Sequence, residues 1–198
     1  MTTLSHEQVL DEFRAAGALL EGHFILSSGL HSPRYLQCAR VLMDPARAAR
    51  LCSALADKVR GGGHGRIDLV ASPAMGGVVV GYEMARQLGV PSIFFERVDG
   101  KLSLRRGFNI EKEARVLMVE DIVTTGLSSR ECIDGIATEG GVTVAAACLI
   151  NRSGGKAEVG VPLYALAALD VPTYAAAALP PELASLPAYK PGSRGLKK

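Results

Sequence analysis

The chain has 198 residues, 48% of them hydrophobic and 21% charged, with a net charge of +2. Those values exclude a disordered chain and fit one domain with a core of its own. They leave no broad field to attract nucleic acid or a membrane surface, and no apolar run nears the ~20 residues of a bilayer span, so neither is expected as a partner.

Ser5 and Gln8 have the spacing of a capping box, and Val9, Leu10, Phe13 and Ala16 then recur at helical intervals as far as Gly17. His23 to Leu26 reads as a short strand, Ser27-Ser28-Gly29 as a turn, and Arg34 to Cys38 as a strand pairing back. Asp44-Pro45 opens a helix to about Arg60, stopped by three glycines. The rhythm then becomes strand, helix, strand. Ile67 to Ala71 is a strand, residues 72–77 a turn into a helix ending near Gly89, and Pro91 to Phe95 a second strand. Val116 to Val119 is apolar on both faces, as a central parallel strand must be. A helix from about Ser128 to Thr138 and a strand from Val142 to Ile150 follow. This alternation predicts an α/β fold, a parallel sheet flanked by helices. Residues after Pro180, rich in Pro and Gly, are expected at the surface. With aromatics at 5% and no Trp, the core must rest on Ala, Val, Leu and Ile.

Cys38, Cys52, Cys132 and Cys148 show no CxxC spacing, and the four histidines are scattered. Buried reduced thiols in a cytoplasmic protein are expected, with no metal cage built from side chains. The first residues lack the basic-then-apolar pattern of a secretory signal, which agrees with a cytoplasmic location.

Chemistry concentrates in four segments. In the first, the strand Val116 to Val119 runs into Glu120-Asp121, then Ile122, Val123, Thr124, Thr125, Gly126, Leu127 and Ser128. Backbone N–H groups and hydroxyls at a helix N-terminus make an anion site, and Ser128 with Glu131 has capping-box spacing. Two carboxylates beside an anion make sense if they accept hydrogen bonds from a vicinal diol, or if a cation lies between. A sugar phosphate fits that combination better than a bare phosphate. In the second, Asp99-Gly100 is a hairpin signal between runs carrying Arg97, Lys101, Arg105 and Arg106. By itself this is either a solvated basic hairpin or an arm closing on a polyanion. The third, Ala74-Met75-Gly76, lies on a strand-to-helix turn where glycine permits close backbone approach. The fourth pairs Tyr35 and Leu36, near the N-terminus, with Arg152 at the end of the last strand.

The first segment resembles the phosphoribosyl pyrophosphate (PRPP) signature of the type I phosphoribosyltransferases. The resemblance implies that family's fold, with a small N-terminal hood: hood at residues 1–40, core at 41–198, flexible hairpin at 96–110. It implies that Glu120 and Asp121 contact the ribose hydroxyls, that 124–128 cradle the 5-phosphate, and that Ala74, Met75 and Gly76 form the pyrophosphate loop. The hood, the Arg97 to Lys101 hairpin and Arg152 resemble the orotate branch. For that branch the resemblance implies transfer of phosphoribosyl from PRPP to orotate in pyrimidine synthesis. Catalytic roles fall to Lys101, Arg97 and Asp121, and orotate contacts to Thr124, Arg152, Tyr35 and Leu36. It also implies Mg²⁺ held by PRPP oxygens, and a homodimer whose hairpin reaches the neighbouring active site. The chain departs from the branch at Ser27 and Gly76, where Lys is common, and at Val98 and Ser103, where Lys and His are common. Arg105 or Arg106 is available to compensate. A phosphoribosyltransferase for another base, or a non-catalytic PRPP sensor, remains an alternative at this point.

Overall fold

The structure is a computed structural model that describes residues 4–26 and 29–191. The turn expected at Ser27-Ser28 lies outside the described residues. The first helix, α1 (His6–Ala15), starts where the capping box puts it, with Ser5 and Gln8 each serving the other's backbone. Two strands follow, β1 (Leu19–Ile25) and β2 (His31–Leu36), both displaced from the sequence reading towards the N-terminus. A short helix that no cap announced, α2 (Cys38–Leu42), precedes α3 (Pro45–Arg60), whose N-cap Asp44 accepts from the N–H groups of Ala46 and Arg47. Next come β3 (Leu69–Pro73), α4 (Gly76–Leu88), β4 (Ser92–Val98), β5 (Lys101–Leu104), β6 (Arg115–Val123), α5 (Leu127–Thr138), β7 (Val142–Asn151), β8 (Leu163–Ala168), α6 (Pro181–Ala184) and β9 (Ala188–Tyr189).

The main sheet, among the described residues, has the order β5-β4-β3-β6-β7-β8, parallel except for β5. Its two faces bury two cores. Leu117, Val119, Ala145, Ala147 and Leu149 pack under α1 to α4, while Val116, Met118 and Ala146 pack under α5. Strand alternation makes this division, since odd and even residues of β6 point to opposite faces. From β3 the chain crosses on the α4 face to β4; from β6 it crosses on the α5 face to β7. The strand order therefore reverses between β3 and β6, and a crevice opens at their carboxyl ends. Helix α4 sits low over that crevice because its inner face is glycine: a Cβ at Gly81 would lie 2.6 Å from Ser72 Oγ, and one at Gly77 3.0 Å from Ser72 Cβ.

A second sheet, of order β2-β1-β9, forms the hood. It joins both parts of the chain: β9 pairs parallel with β1 through His23 and Phe24, and His31 bridges Tyr174. His23 is buried, and its Nδ1 meets Leu186 O at 3.0 Å. The segment after Pro180 is thus partly structural, with Leu183 buried. All four cysteines are free and buried.

Candidate active site

The crevice between β3 and β6 holds a cavity of about 430 Å³ lined by Ala74, Gly76, Arg97, Glu120, Asp121 and Ser128 among others. The predicted acid pair, Ala74 and Gly76 of the strand-to-helix turn, Arg97 of the hairpin, and Leu127 and Ser128 at the start of α5 therefore meet here, whereas Met75 and Gly126 do not line this cavity and Thr124 and Thr125 line another. Helix α5 begins differently from the sequence reading. Gly126 occupies the N-cap in the left-handed region, φ 73°, and has no side chain to cap the helix, while the neighbouring Thr125 Oγ1 accepts from Leu127 N at 3.4 Å. Ser128 lies inside the first turn, and Glu131 pairs with Arg97 instead of closing a capping box. With no N-cap side chain, the N–H groups of the next residues in this first turn have no intrahelical partner, and Leu127 and Ser128 line the cavity. Arg130 fastens this loop by donating to Thr125 O at 3.1 Å and to Glu158 O at 2.8 Å. Ile122 and Val123 contribute backbone only: Val123 is buried, its carbonyl accepting from Arg152 N at 2.8 Å, and Ile122 packs against the main core.

The two acids leave the strand on opposite faces. Glu120 turns towards α5, where Ser129 Oγ donates to its Oε2 at 2.5 Å. Asp121 turns towards α4 and accepts from Ile122 N at 2.9 Å. Burial pushes the Glu120 carboxyl up to about 7, against the opposing pull of the Ser129 hydrogen bond and with a further push from Asp121. Burial likewise raises Asp121, opposed by the Ile122 N–H and the Cys38 thiol. Gly76 is fixed by this packing, since a Cβ there would lie 2.8 Å from Asp121 Oδ2. The space a side chain at this position would take is filled by the Asp121 carboxylate.

The hairpin turns at Asp99 and Gly100, both with positive φ (49° and 85°), as its Asp-Gly signal predicts. Arg97 and Leu102 pair across it and both line the cavity. Arg97 is bound to Gly100 O and to Glu131, and the Glu131 carboxylate raises its pKa further. Lys101 pairs with Val98 on the other face, is exposed, and does not line this cavity. Arg106 is held by Glu96 at 2.7 Å and lies over the Phe94 ring, whereas Arg105 makes no ion pair among the described residues.

A second cavity, of about 870 Å³, lies beyond the phosphate loop and is lined by Tyr35, Thr124, Thr125, Arg152 and the segment Asp170 to Thr173. That segment was not anticipated, because Asp170 and Pro172 only interrupt an Ala-rich run in the sequence. Leu36 does not belong here. It alternates with Tyr35 along β2 and is buried in the main core, so the expected pair reduces to Tyr35. Arg152 is half-buried, its pKa lowered by burial and supported by Tyr35. Its guanidinium has no carboxylate partner among the described residues.

Comparison with known proteins agrees with this geometry. The family described as "Phosphoribosyl transferase domain" matches residues 41–166. The orotate phosphoribosyltransferase of Caulobacter vibrioides is 61% identical over 98% of this chain and 100% of its own length. That of Rhizorhabdus wittichii is also 61% identical, over 96% of this chain and 97% of its own. The crystal structure of orotate phosphoribosyltransferase from Aeropyrum pernix superimposes with a TM-score of 0.68 at 27% identity, covering 81% of this chain and 93% of that one.

Proposed function

The chain belongs to the orotate phosphoribosyltransferases, within the phosphoribosyl transferase family, and we propose that its two cavities divide the substrates of that reaction between them. Orotate and PRPP react to give orotidine 5-monophosphate and pyrophosphate, a step of pyrimidine biosynthesis. A ring nitrogen of orotate forms the bond to the anomeric carbon as the bond to pyrophosphate breaks. Positive charge gathers on the ribose and negative charge on the departing group, so catalysis is positioning and electrostatics.

PRPP belongs in the crevice. The glycine-started first turn of α5, with Thr124, Thr125, Gly126, Leu127 and Ser128, takes the 5-phosphate. Glu120 and Asp121, diverging at the end of β6, accept from the ribose hydroxyls and hold the sugar beside the leaving group. The turn Ala74, Met75 and Gly76 with Arg97 faces the pyrophosphate. Mg²⁺ would be held mainly by PRPP oxygens and would offset the charge of the departing pyrophosphate.

Orotate belongs in the second cavity. The observation that carries this assignment is Arg152, a half-buried guanidinium without a carboxylate partner, facing Tyr35 across a cavity that shares the phosphate loop as its wall. The planar fork pairs with the orotate carboxylate, Tyr35 packs on the ring, and Thr124 reaches it from the loop. In Arg152→Ala the KM for orotate should rise about 100-fold while that for PRPP stays within twofold, and Lys should not restore it. Equal losses for both substrates would reject the assignment.

Lys101 completes the site from a second copy of the chain. Its place on the outer face of the hairpin supports that reading, as does the exposed apolar face of α4 formed by Met75, Val79 and Tyr82. No helix among the described residues is long and apolar enough to cross a membrane. The four free thiols fit a reducing compartment, and the cytoplasm is the location we assign.

A further inference from the structure

Helix α5 buries the stripe Ser129, Cys132 and Ile136 against the sheet. The first member of that stripe is polar. Ser129 is fully buried, and a hydroxyl withdrawn from water destabilises the fold unless it is hydrogen-bonded. Its partner is Glu120 Oε2, 2.5 Å away, on the carboxylate that lines the PRPP cavity. A hydroxyl that donates to a carboxylate favours the ionised form and fixes one oxygen, leaving the other for a ligand. The remaining surroundings of Glu120 do not supply this. Asp121 beside it on β6 repels the charge, Cys132 from α5 and Cys148 from β7 are buried neutral thiols, and Arg97, though it lines the same cavity, is bound to Glu131.

We propose that Ser129 is a positioning residue: its hydroxyl holds Glu120 ionised and aimed so that it accepts from the ribose diol of PRPP. The proposal rests on the ribose role assigned above to Glu120. Without this donor, the buried carboxyl keeps its proton to higher pH, and a protonated acid is a poorer acceptor for a diol.

The test is the KM for PRPP between pH 6 and 9 in the parent, Ser129→Ala, Ser129→Thr, Glu120→Gln and the double variant Glu120→Gln/Ser129→Ala. In the parent, KM should rise as pH falls through about 7. In Ser129→Ala the rise should begin at higher pH, leaving KM about five- to tenfold above the parent at pH 7, the scale of one hydrogen bond to a charged group. The KM for orotate should not move, and Thr should restore the parent profile. Glu120→Gln reports any titration of PRPP itself, and adding Ser129→Ala to it should change nothing further. A Ser129→Ala profile that superimposes on the parent, or an effect that persists undiminished in the Glu120→Gln background, overturns the proposal. If Glu120→Gln leaves the KM for PRPP unchanged, the ribose assignment fails instead. The carboxyl of Glu120, followed by carbon NMR through a pH titration, then decides separately, because it must titrate at higher pH in Ser129→Ala than in the parent.

Discussion

Burying Glu120 and Asp121 at the end of β6 costs folding free energy, and the sign of that cost is visible in their ionisation. Glu120 titrates at about 7 in the folded protein, above the ordinary value of 4.5. A carboxyl raised on folding contributes stability that is fully present below its unfolded value and is lost as pH rises through the folded one. Stability should therefore fall between about pH 4.5 and pH 7, by about 1–3 kcal/mol for Glu120. Glu120→Gln should remove that share of the decline and raise the melting temperature at pH 8, while weakening PRPP. Parallel stability-pH curves for parent and variant, from denaturant melts, would show that Glu120 carries no such cost. The acids were readable as a pair at a strand end. Their division between α4 and α5 follows from period-two alternation. The donor to Glu120 was not marked, because a serine three places past the glycine reads like any residue of a helix's first turn. Its signal is subtler: it occupies the first position of the buried 129-132-136 stripe.

Among the elements, those with paired signals came out of the sequence well. Helices α1 and α3 begin at their caps, and the β4–β5 hairpin turns at Asp99-Gly100. The start of α5 misled because Ser128 and Glu131 have capping-box spacing, while Gly126 in the left-handed region starts the helix earlier and Arg97 claims Glu131. Helix α2 and strand β9 were invisible, since five and two residues are too few to show a period. The hairpin yields its own prediction. Lys101 is exposed, at the start of β5, so its loss should spare the fold. Lys101→Ala should lower turnover about 100-fold with an unchanged unfolding midpoint, as expected for one cation removed from a developing pyrophosphate. Turnover at the parent level would sink its role.

For the whole molecule, the split of Arg97 and Lys101 between two faces of one hairpin makes a claim about assembly. If the chain pairs as proposed, a mixture of Lys101→Ala and Arg152→Ala, unfolded together and refolded, would form mixed dimers in which one site has every native residue. Such a mixture should regain about a quarter of parent activity, the fraction set by random pairing. A mixture as inactive as its components would place Lys101 in its own chain's site. A parallel sheet flanked by helices, with ligand residues at its strand ends, follows from the alternating elements, whereas the strand order does not, nor does the full hood, because its third strand comes from far along the chain. That third strand has a temporal consequence. The residues lining the PRPP crevice all lie between 73 and 128, but the orotate cavity needs Asp170 to Thr173, and the hood above it is closed by Ala188 and Tyr189. During synthesis, then, the ribosome delivers the sugar-phosphate half some 60 residues before the strand that shuts the roof over the base. Because β7 flanks β6 and Arg130 ties the phosphate loop to Glu158, neither pocket is complete before that point, and a chain that stops short of Ala188 lacks the third strand of the hood.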